Sequence, residues 1–248
     1  MVKTLLVLVP AYNAGLTIAE LIQKISKFVN KSDVIVVDDG SFDQTFENAK
    51  RTGVVVLKHK SNKGKGEALK TGFRYALEKN YHSVITIDAD LQHDPESIPD
   101  FILKTENHSL LDFKTKLPPH PIPLPDGERV ISSTGIILGT RKRNLKIMPF
   151  ARWLTNNLSS VIVSVLSGQS IRDSQSGYRL ISTDVLKNVK LESKKYDLEP
   201  ELLIKASRKG FRIDEVPIRT IYTGGESFIN PFVDTGRFIK LMWRSLWW

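Results

Sequence analysis

Two carboxylates one residue apart, Asp88 and Asp90, follow directly on the apolar run Ser83-Val-Ile-Thr-Ile, and Gln92 lies two residues further on. Side chains alternate faces along a strand, but a turn just beyond it brings alternate residues together. The two acids can then share one hard divalent cation, with the Gln92 amide as a further oxygen ligand. Such an ion has charge left for a phosphate. Acids also end strands simply because loops are solvated, and an isolated Asp-X-Asp does not choose between the two.

Other polar clusters carry related chemistry. Asp38-Asp39-Gly-Ser41 reads as a turn with a helix N-cap at Ser41 or Asp43, and its two adjacent acids could also accept hydrogen bonds from a ribose or a nucleobase. Asn62-Lys63-Gly64-Lys65-Gly66 precedes a helix, so its glycines could bring backbone and lysines close to phosphate, or only start the helix. It matches neither the Walker loop nor the dinucleotide fingerprint.

The elements that must position these clusters alternate regularly. Strands are expected at Leu5–Val9, Asp33–Val37, Val54–Leu57 and Val84–Ile87, with helices at Leu16–Phe28, Asp43–Arg51 and Gly66–Glu78. This β-α-β order predicts a mostly parallel sheet. Pro10-Ala-Tyr-Asn13, Asp38-Asp39-Gly40 and Asp88-Ala-Asp90 then fall on the carboxyl-end rim, where such sheets bind ligands. Further on, a strand is expected at Gly135–Arg141, helices at Phe150–Leu166 and Leu198–Lys209, and a strand at Phe211–Val216.

A chain of 248 residues, 41% of them hydrophobic, can bury a substantial core in one domain. With no cysteine it has neither disulfides nor thiolate metal sites, so any metal is oxygen-bound, and a reducing compartment fits. The first ten residues read as a buried strand rather than a signal peptide, and no apolar run is long enough to cross a bilayer. The net charge of +9 favours polyanionic company. Its lysines and arginines are spread over the whole chain without a nucleic-acid module, so nucleic acid is not expected as the primary partner.

Six segments in order resemble the motifs of inverting family 2 glycosyltransferases with the GT-A fold. They are Val9-Pro-Ala-Tyr-Asn13, Val37-Asp-Asp-Gly-Ser41-Phe-Asp43-Gln-Thr45, Asn62-Lys-Gly-Lys-Gly66, Asp88-Ala-Asp-Leu-Gln-His93-Asp-Pro95, Gly139-Thr-Arg141 and Asp173-Ser-Gln-Ser-Gly177-Tyr-Arg179. The nearest subgroup looks like dolichol-phosphate mannosyltransferase and its bacterial polyprenyl-phosphate relatives. The resemblance implies an α/β GT-A domain over residues 1–230, a mostly parallel Rossmann-like sheet flanked by helices. It implies a nucleotide-sugar donor (GDP-mannose or a UDP-sugar) bound by Pro10, Tyr12, Asn13, Asp38, Asp39, Lys63, Lys65, Asp88 and Ala89. Mg2+ or Mn2+ would sit on Asp88, Asp90 and Gln92, and Arg141 and Arg152 would hold an acceptor phosphate. With the two aspartates, these arginines form the expected catalytic set. Arginine suits phosphate because its planar fork binds oxygens in pairs.

Two segments depart from that pattern. Where the mannosyltransferases carry an arginine before a Gly-X-Ser element, this chain has Ile221-Tyr-Thr-Gly-Gly-Glu-Ser227, so Thr223, the glycine backbone, Lys63 or Lys65 would have to meet the diphosphate. Residues 105–133 are expected as an inserted surface loop, because five prolines between Pro118 and Pro125 forbid a regular helix or central strand. His93 and His120 are expected in loops, solvated or hydrogen-bonded, without a metal role.

The acceptor side falls to the C-terminal half, with Asp173, Arg179 and Glu199 as candidates. Asp173, Glu199 and Glu201 are the acids that could serve as a general base toward a hydroxyl acceptor. A phosphate acceptor, already ionised, needs none. Residues 231–248 predict an amphipathic C-terminal helix with Phe232, Ile239, Met242, Trp243 and Leu246 on one face and Arg237, Lys240 and Arg244 on its flank. It would lie on a membrane surface or pack on the domain or on a partner subunit. The expectation is transfer of a sugar to a polyprenyl phosphate by a peripheral enzyme on the cytoplasmic face of a membrane, alone or as a homo-oligomer. The alternatives are a hydroxyl acceptor on a glycolipid or polysaccharide, and a non-catalytic nucleotide-sugar-binding protein.

Overall fold

Period-two burial builds the sheet. In β1 (Lys3–Ala11), Leu6 and Leu8 face one side and Val7 and Val9 the other; in β2 (Val34–Asp38), Ile35 and Val37 oppose Val34 and Val36. All eight side chains are fully buried, as in a sheet covered on both faces. The computed structural model describes residues 3–109, 134–141, 150–219, 221 and 240–245. β3 (Val55–Lys58) and β4 (Tyr81–Thr86) complete the first half, with α1 (Ile18–Ile25), α2 (Thr45–Arg51) and α3 (Lys65–Glu78) between the strands. α1 buries Ile18, Leu21, Ile22 and Ile25, the spacing of one helical face. α3 covers the opposite side of the sheet and comes so close to β1 that a Cβ on Gly72 would lie 2.2 Å from Leu8 Cδ1.

The second half contains α4 (Ile98–Ser109), β5 (Thr134–Arg141), α5 (Phe150–Ser167), β6 (Arg179–Ser182), α6 (Thr183–Asn188), α7 (Leu198–Arg208) and β7 (Arg212–Ile218). The sheet order is β3-β2-β1-β4-β6-β5-β7. β6 runs antiparallel to both β4 and β5, and the remaining pairs are parallel, so the sheet is mostly parallel as expected. This reversal decides where the site forms. Thr86 pairs with Arg179 and Leu138 with Arg179, so the start of β6 and the end of β5 reach the same rim as the ends of β1, β2 and β4.

Three elements were not anticipated from the sequence. α4 extends through Ser109, so residues 105–109, assigned above to the inserted loop, continue a helix anchored by buried Ile98 and Phe101. Residues 110–133, with the proline run and His120, lie outside the described residues. β6 and α6, four and six residues long, are too short to show a period.

Of the expected C-terminal helix, residues 240–245 are described and helical. Leu241 and Ser245 are buried, Met242 packs against the core and Trp243 is 69% exposed. Met242 and Trp243 therefore do not share one outward apolar face. Arg208 Nη1 donates to the Ser245 carbonyl and Arg244 pairs with Glu192, so this segment is fastened to the domain. No helix among the described residues is long and apolar enough to cross a membrane.

Candidate active site

The loop after β1 and the loop after β2 are tied into one surface. Asn13 holds a left-handed backbone (φ 50°); its N–H donates to Ser41 Oγ (2.9 Å) and its side-chain oxygen accepts from Phe42 N–H (3.0 Å). Ala14 N–H donates to Thr45 Oγ1 (2.7 Å) and Gly15 N–H to Asp43 Oδ2 (2.8 Å). Thr17 Oγ1 donates to the Ala89 carbonyl (2.6 Å), fastening the same surface to the Asp-X-Asp turn. Tyr12 and Phe42 meet edge-on at 6.1 Å, with Phe42 exposed. Pro10 is buried within β1, opposite Val37, and Ala89 is buried behind the turn.

The paired acids of the second strand divide their work. Asp38 Oδ1 accepts from Ser41 N–H (2.9 Å) and closes its own turn, while Oδ2 faces Lys58 Nζ at 3.7 Å. Asp39 accepts from Lys63 N–H (3.0 Å) and Gly64 N–H (2.7 Å) and meets His59 Nδ1 at 2.6 Å. The Asp39 carboxylate, expected at the nucleoside, therefore spends its charge on fixing the lysine-rich loop. The glycines of that loop also have a packing role. Gly64 has φ 97°, and a Cβ on Gly64 or Gly66 would come within 2.8 Å of the Lys194 carbonyl oxygen. They let the loop lie against the 194–195 backbone.

Lys65, the first residue of α3, is the electrostatic centre. Its ammonium lies 2.7 Å from Asp88 Oδ1 and 3.1 Å from Glu199 Oε1, and its side chain is 17% exposed. Burial pulls the Lys65 pKa down, but the charges of Asp88 and Glu199 outweigh it and hold it above the usual lysine value. Burial pushes the Asp88 carboxyl up, and the neighbouring cationic groups, Lys65 foremost, more than reverse this, leaving it below its usual value. Asp90, on the exposed side of the turn, is raised, first by desolvation in the crowded loop and then by repulsion from Asp88. Gly177 backs the pair: a Cβ there would sit 2.4 Å from Asp88 Oδ2.

These residues fit a divalent cation. Asp88 and Asp90 flank Ala89 on one turn, with Gln92 two residues on, and together offer a hard oxygen set; the charge of Asp88 adds to desolvation in raising the Asp90 carboxyl. Gln92 is held at the backbone, its N–H donating to Asp90 Oδ1 (3.0 Å) and its carbonyl accepting from Ile221 N–H (2.9 Å). Among the described residues no three acids or histidines converge as a complete ligand cage. A Mg2+-type ion takes one or two carboxylates and completes its shell with substrate phosphate and water.

Arg141, at the end of β5, forms a two-pronged pair with Asp173, Nε to Oδ2 at 2.7 Å and Nη2 to Oδ1 at 2.9 Å. Arg152 lies in α5 with its side chain outside the described residues, as do residues 222–227 of the departing Gly-Gly segment. Several expectations require correction. Arg179 is not an acceptor contact: it is 1% exposed, and its guanidinium donates to the carbonyls of Ser176 (2.7 Å), Glu199 (2.8 Å) and Ser174 (2.9 Å). Glu199 is paired with Lys65. Glu201 accepts from Glu192 N–H, Ser193 N–H and Lys205, and braces the loop before α7. His93 is not solvated; it is buried, stacked on Tyr178 at 5.5 Å between centroids, and burial lowers its pKa to about 4.

Sequence reasoning missed His59, Gly177 and the Lys65–Glu199 contact. Each joins segments far apart in the chain, and no local pattern marks them.

Residues 6–148 match the model of glycosyl transferase family 2. An uncharacterized protein of Methanocaldococcus jannaschii is 34% identical over 222 residues, 88% of this chain and 81% of that protein. The UDP-N-acetylglucosamine--dolichyl-phosphate N-acetylglucosaminyltransferase of Methanococcus voltae is 31% identical, covering 89% of this chain and 87% of its own. The undecaprenyl-phosphate mannosyltransferase of Micrococcus luteus is 28% identical, with 86% and 82% covered. Among solved structures, glucosyl-3-phosphoglycerate synthase of Mycobacterium tuberculosis, in complex with Mn2+, UDP and glucosyl-3-phosphoglycerate, superposes with a TM-score of 0.66 at 21% identity over 98% of this chain and 78% of that one. A carboxylate pair at the rim of a mostly parallel sheet and a family model spanning more than half of the chain lead to one assignment: the chain belongs to glycosyl transferase family 2 and is a glycosyltransferase of the GT-A fold.

Proposed function

We propose that this enzyme transfers a sugar from a nucleotide-sugar to a polyprenyl phosphate, with a divalent cation, at the surface of a membrane. The observation that carries the acceptor is the state of its acids. Asp173 is paired with Arg141, Glu199 with Lys65 and Glu201 with Lys205. Each acid available as a base toward a hydroxyl is thus already engaged by a cation, whereas a phosphate monoester arrives ionised and attacks without one. The named relatives from Methanococcus voltae and Micrococcus luteus support the same acceptor class.

In this reading the loops joined by Asn13 and Ser41 hold the nucleoside, with Tyr12 and Phe42 as aromatic surface. Asp88, Asp90 and Gln92 would hold Mg2+ or Mn2+, which when bound neutralises the donor diphosphate and stabilises it as a leaving group. Lys65 supplies a second, permanent positive charge beside Asp88, taking over from the arginine that the 221–227 segment lacks. Arg141, steered by Asp173, offers guanidinium charge to the acceptor phosphate. One oxygen of that phosphate forms the new bond to the anomeric carbon as the bond to the nucleoside diphosphate breaks, and a single in-line displacement inverts the carbon.

A panel of UDP- and GDP-sugars crossed with polyprenyl phosphate and a neutral glycolipid, read by mass spectrometry, tests this. The expected product is a glycosyl polyprenyl phosphate. Transfer to the neutral lipid with none to the phosphate would favour a hydroxyl acceptor, and nucleotide binding without transfer or hydrolysis would favour a binding protein.

A further inference from the structure

We infer that Glu199 is a positioning residue for the donor diphosphate, acting through Lys65 and not on the acceptor. The inference rests on the reading that the donor is a nucleotide-sugar.

Lys65 is fixed at both ends. Asp39 grips the backbone just before it, through Lys63 N–H and Gly64 N–H, and Gly64 and Gly66 seat that loop on the 194–195 backbone. At the far end the ammonium lies between Asp88 at 2.7 Å and Glu199 at 3.1 Å. Glu199 is itself immobilised: it is 5% exposed in the first turn of α7, and its carbonyl accepts from the buried Arg179. An ammonium carries three donors, and two carboxylates on different elements fix its direction as one cannot. Without Glu199 the long lysine side chain is held by Asp88 alone, and the direction of its ammonium is no longer fixed. Glu199 thus holds the cation in a place of its own and leaves Asp88 less committed to it. A carboxylate so enclosed and so paired is poorly suited to touch an acceptor.

The experiment is calorimetric binding of UDP, GDP, uridine and guanosine in Mg2+ to wild type, Glu199→Gln, Glu199→Ala, Lys65→Met and the double variant Lys65→Met/Glu199→Ala. Wild type should bind one diphosphate more tightly than its nucleoside. Glu199→Ala should lose about tenfold in diphosphate affinity, the size expected for a charge-assisted contact, with nucleoside affinity and acceptor KM unchanged. Glu199→Gln should fall in between. In the Lys65→Met background, Glu199→Ala should cost nothing more. The double variant removes both charges of the pair together, so it keeps the test readable even if Glu199→Ala alone is destabilised. Equal losses for nucleoside and diphosphate, no loss for either, an undiminished effect without Lys65, or a raised acceptor KM with diphosphate affinity intact would each overturn the inference while sparing the donor reading. A wild type that binds neither nucleotide overturns both.

Discussion

At the scale of single residues, the site depends on where two carboxylates are held and what crowds them. Asp90→Asn neutralises a carboxylate proposed to hold the metal, on the exposed side of the turn, so transfer should fall at least ~100-fold with the circular dichroism spectrum unchanged. Near wild-type turnover in that variant, or full activity in excess chelator, would remove the metal from the mechanism. Gly177→Ala tests the opposite face. Its Cβ would lie 2.4 Å from Asp88 Oδ2, and an acid already bound to Lys65 has nowhere to retreat without breaking that pair. The variant should lose about 1–3 kcal/mol of stability, the usual cost of overpacking, and bind the nucleoside diphosphate more weakly. Unchanged melting and affinity would place Asp88 elsewhere.

At the scale of elements, the reversed strand β6 and the loop before α7 bring distant residues to the Asp88–Asp90 rim. Glu201 secures that loop through two backbone N–H groups and Lys205; burial raises its carboxyl, and these hydrogen bonds bring it below the usual glutamate value. The folded state therefore binds fewer protons there than the unfolded chain. The stabilisation is complete above the ordinary glutamate pKa and is lost as pH falls through the lowered one. Glu201→Gln should cost about 1–3 kcal/mol in urea unfolding at pH 7, and the gap from wild type should narrow as pH drops below about 4. A gap independent of pH would mean that the carboxylate charge is not what holds the loop. The first four strands, three helices and their strand-end clusters were legible because apolar runs alternate there with helical spacing. β6 was not, since only Leu180 and Ile181 of its four residues are apolar, and with it went the reason that Gly177 and Arg141 share a rim with Asp88. The engagement of Asp39 by the Lys63–Gly64 backbone was equally invisible, because acids that bind ligands and acids that bind loops look alike in sequence.

At the scale of the molecule, the proposed lipid-linked acceptor requires the enzyme to meet a membrane, and no helix among the described residues is long and apolar enough to cross one. Within residues 240–245, Leu241 and Met242 face the domain while Trp243 faces outward. Indole rings favour headgroup depth, so Trp243 is the contact predicted for the bilayer. Trp243→Glu should keep wild-type melting, weaken flotation with anionic vesicles and spare turnover on a short, water-soluble polyprenyl phosphate. Leu241→Glu places a charge at a 2% exposed site and should lower the melting temperature with no vesicles present. Unaltered flotation of Trp243→Glu would assign the membrane contact to another surface.

At the Asp88–Asp90 rim the proposed nucleophile is an ionised lipid phosphate. Phosphorus NMR of a polyprenyl phosphate incubated with enzyme, Mg2+ and its nucleotide-sugar tests it most directly. The monoester resonance should be replaced by that of a phosphodiester whose sugar has the anomeric configuration opposite to the donor's. A persistent monoester signal while the donor is consumed, with the sugar found on a hydroxyl or in water, would contradict it.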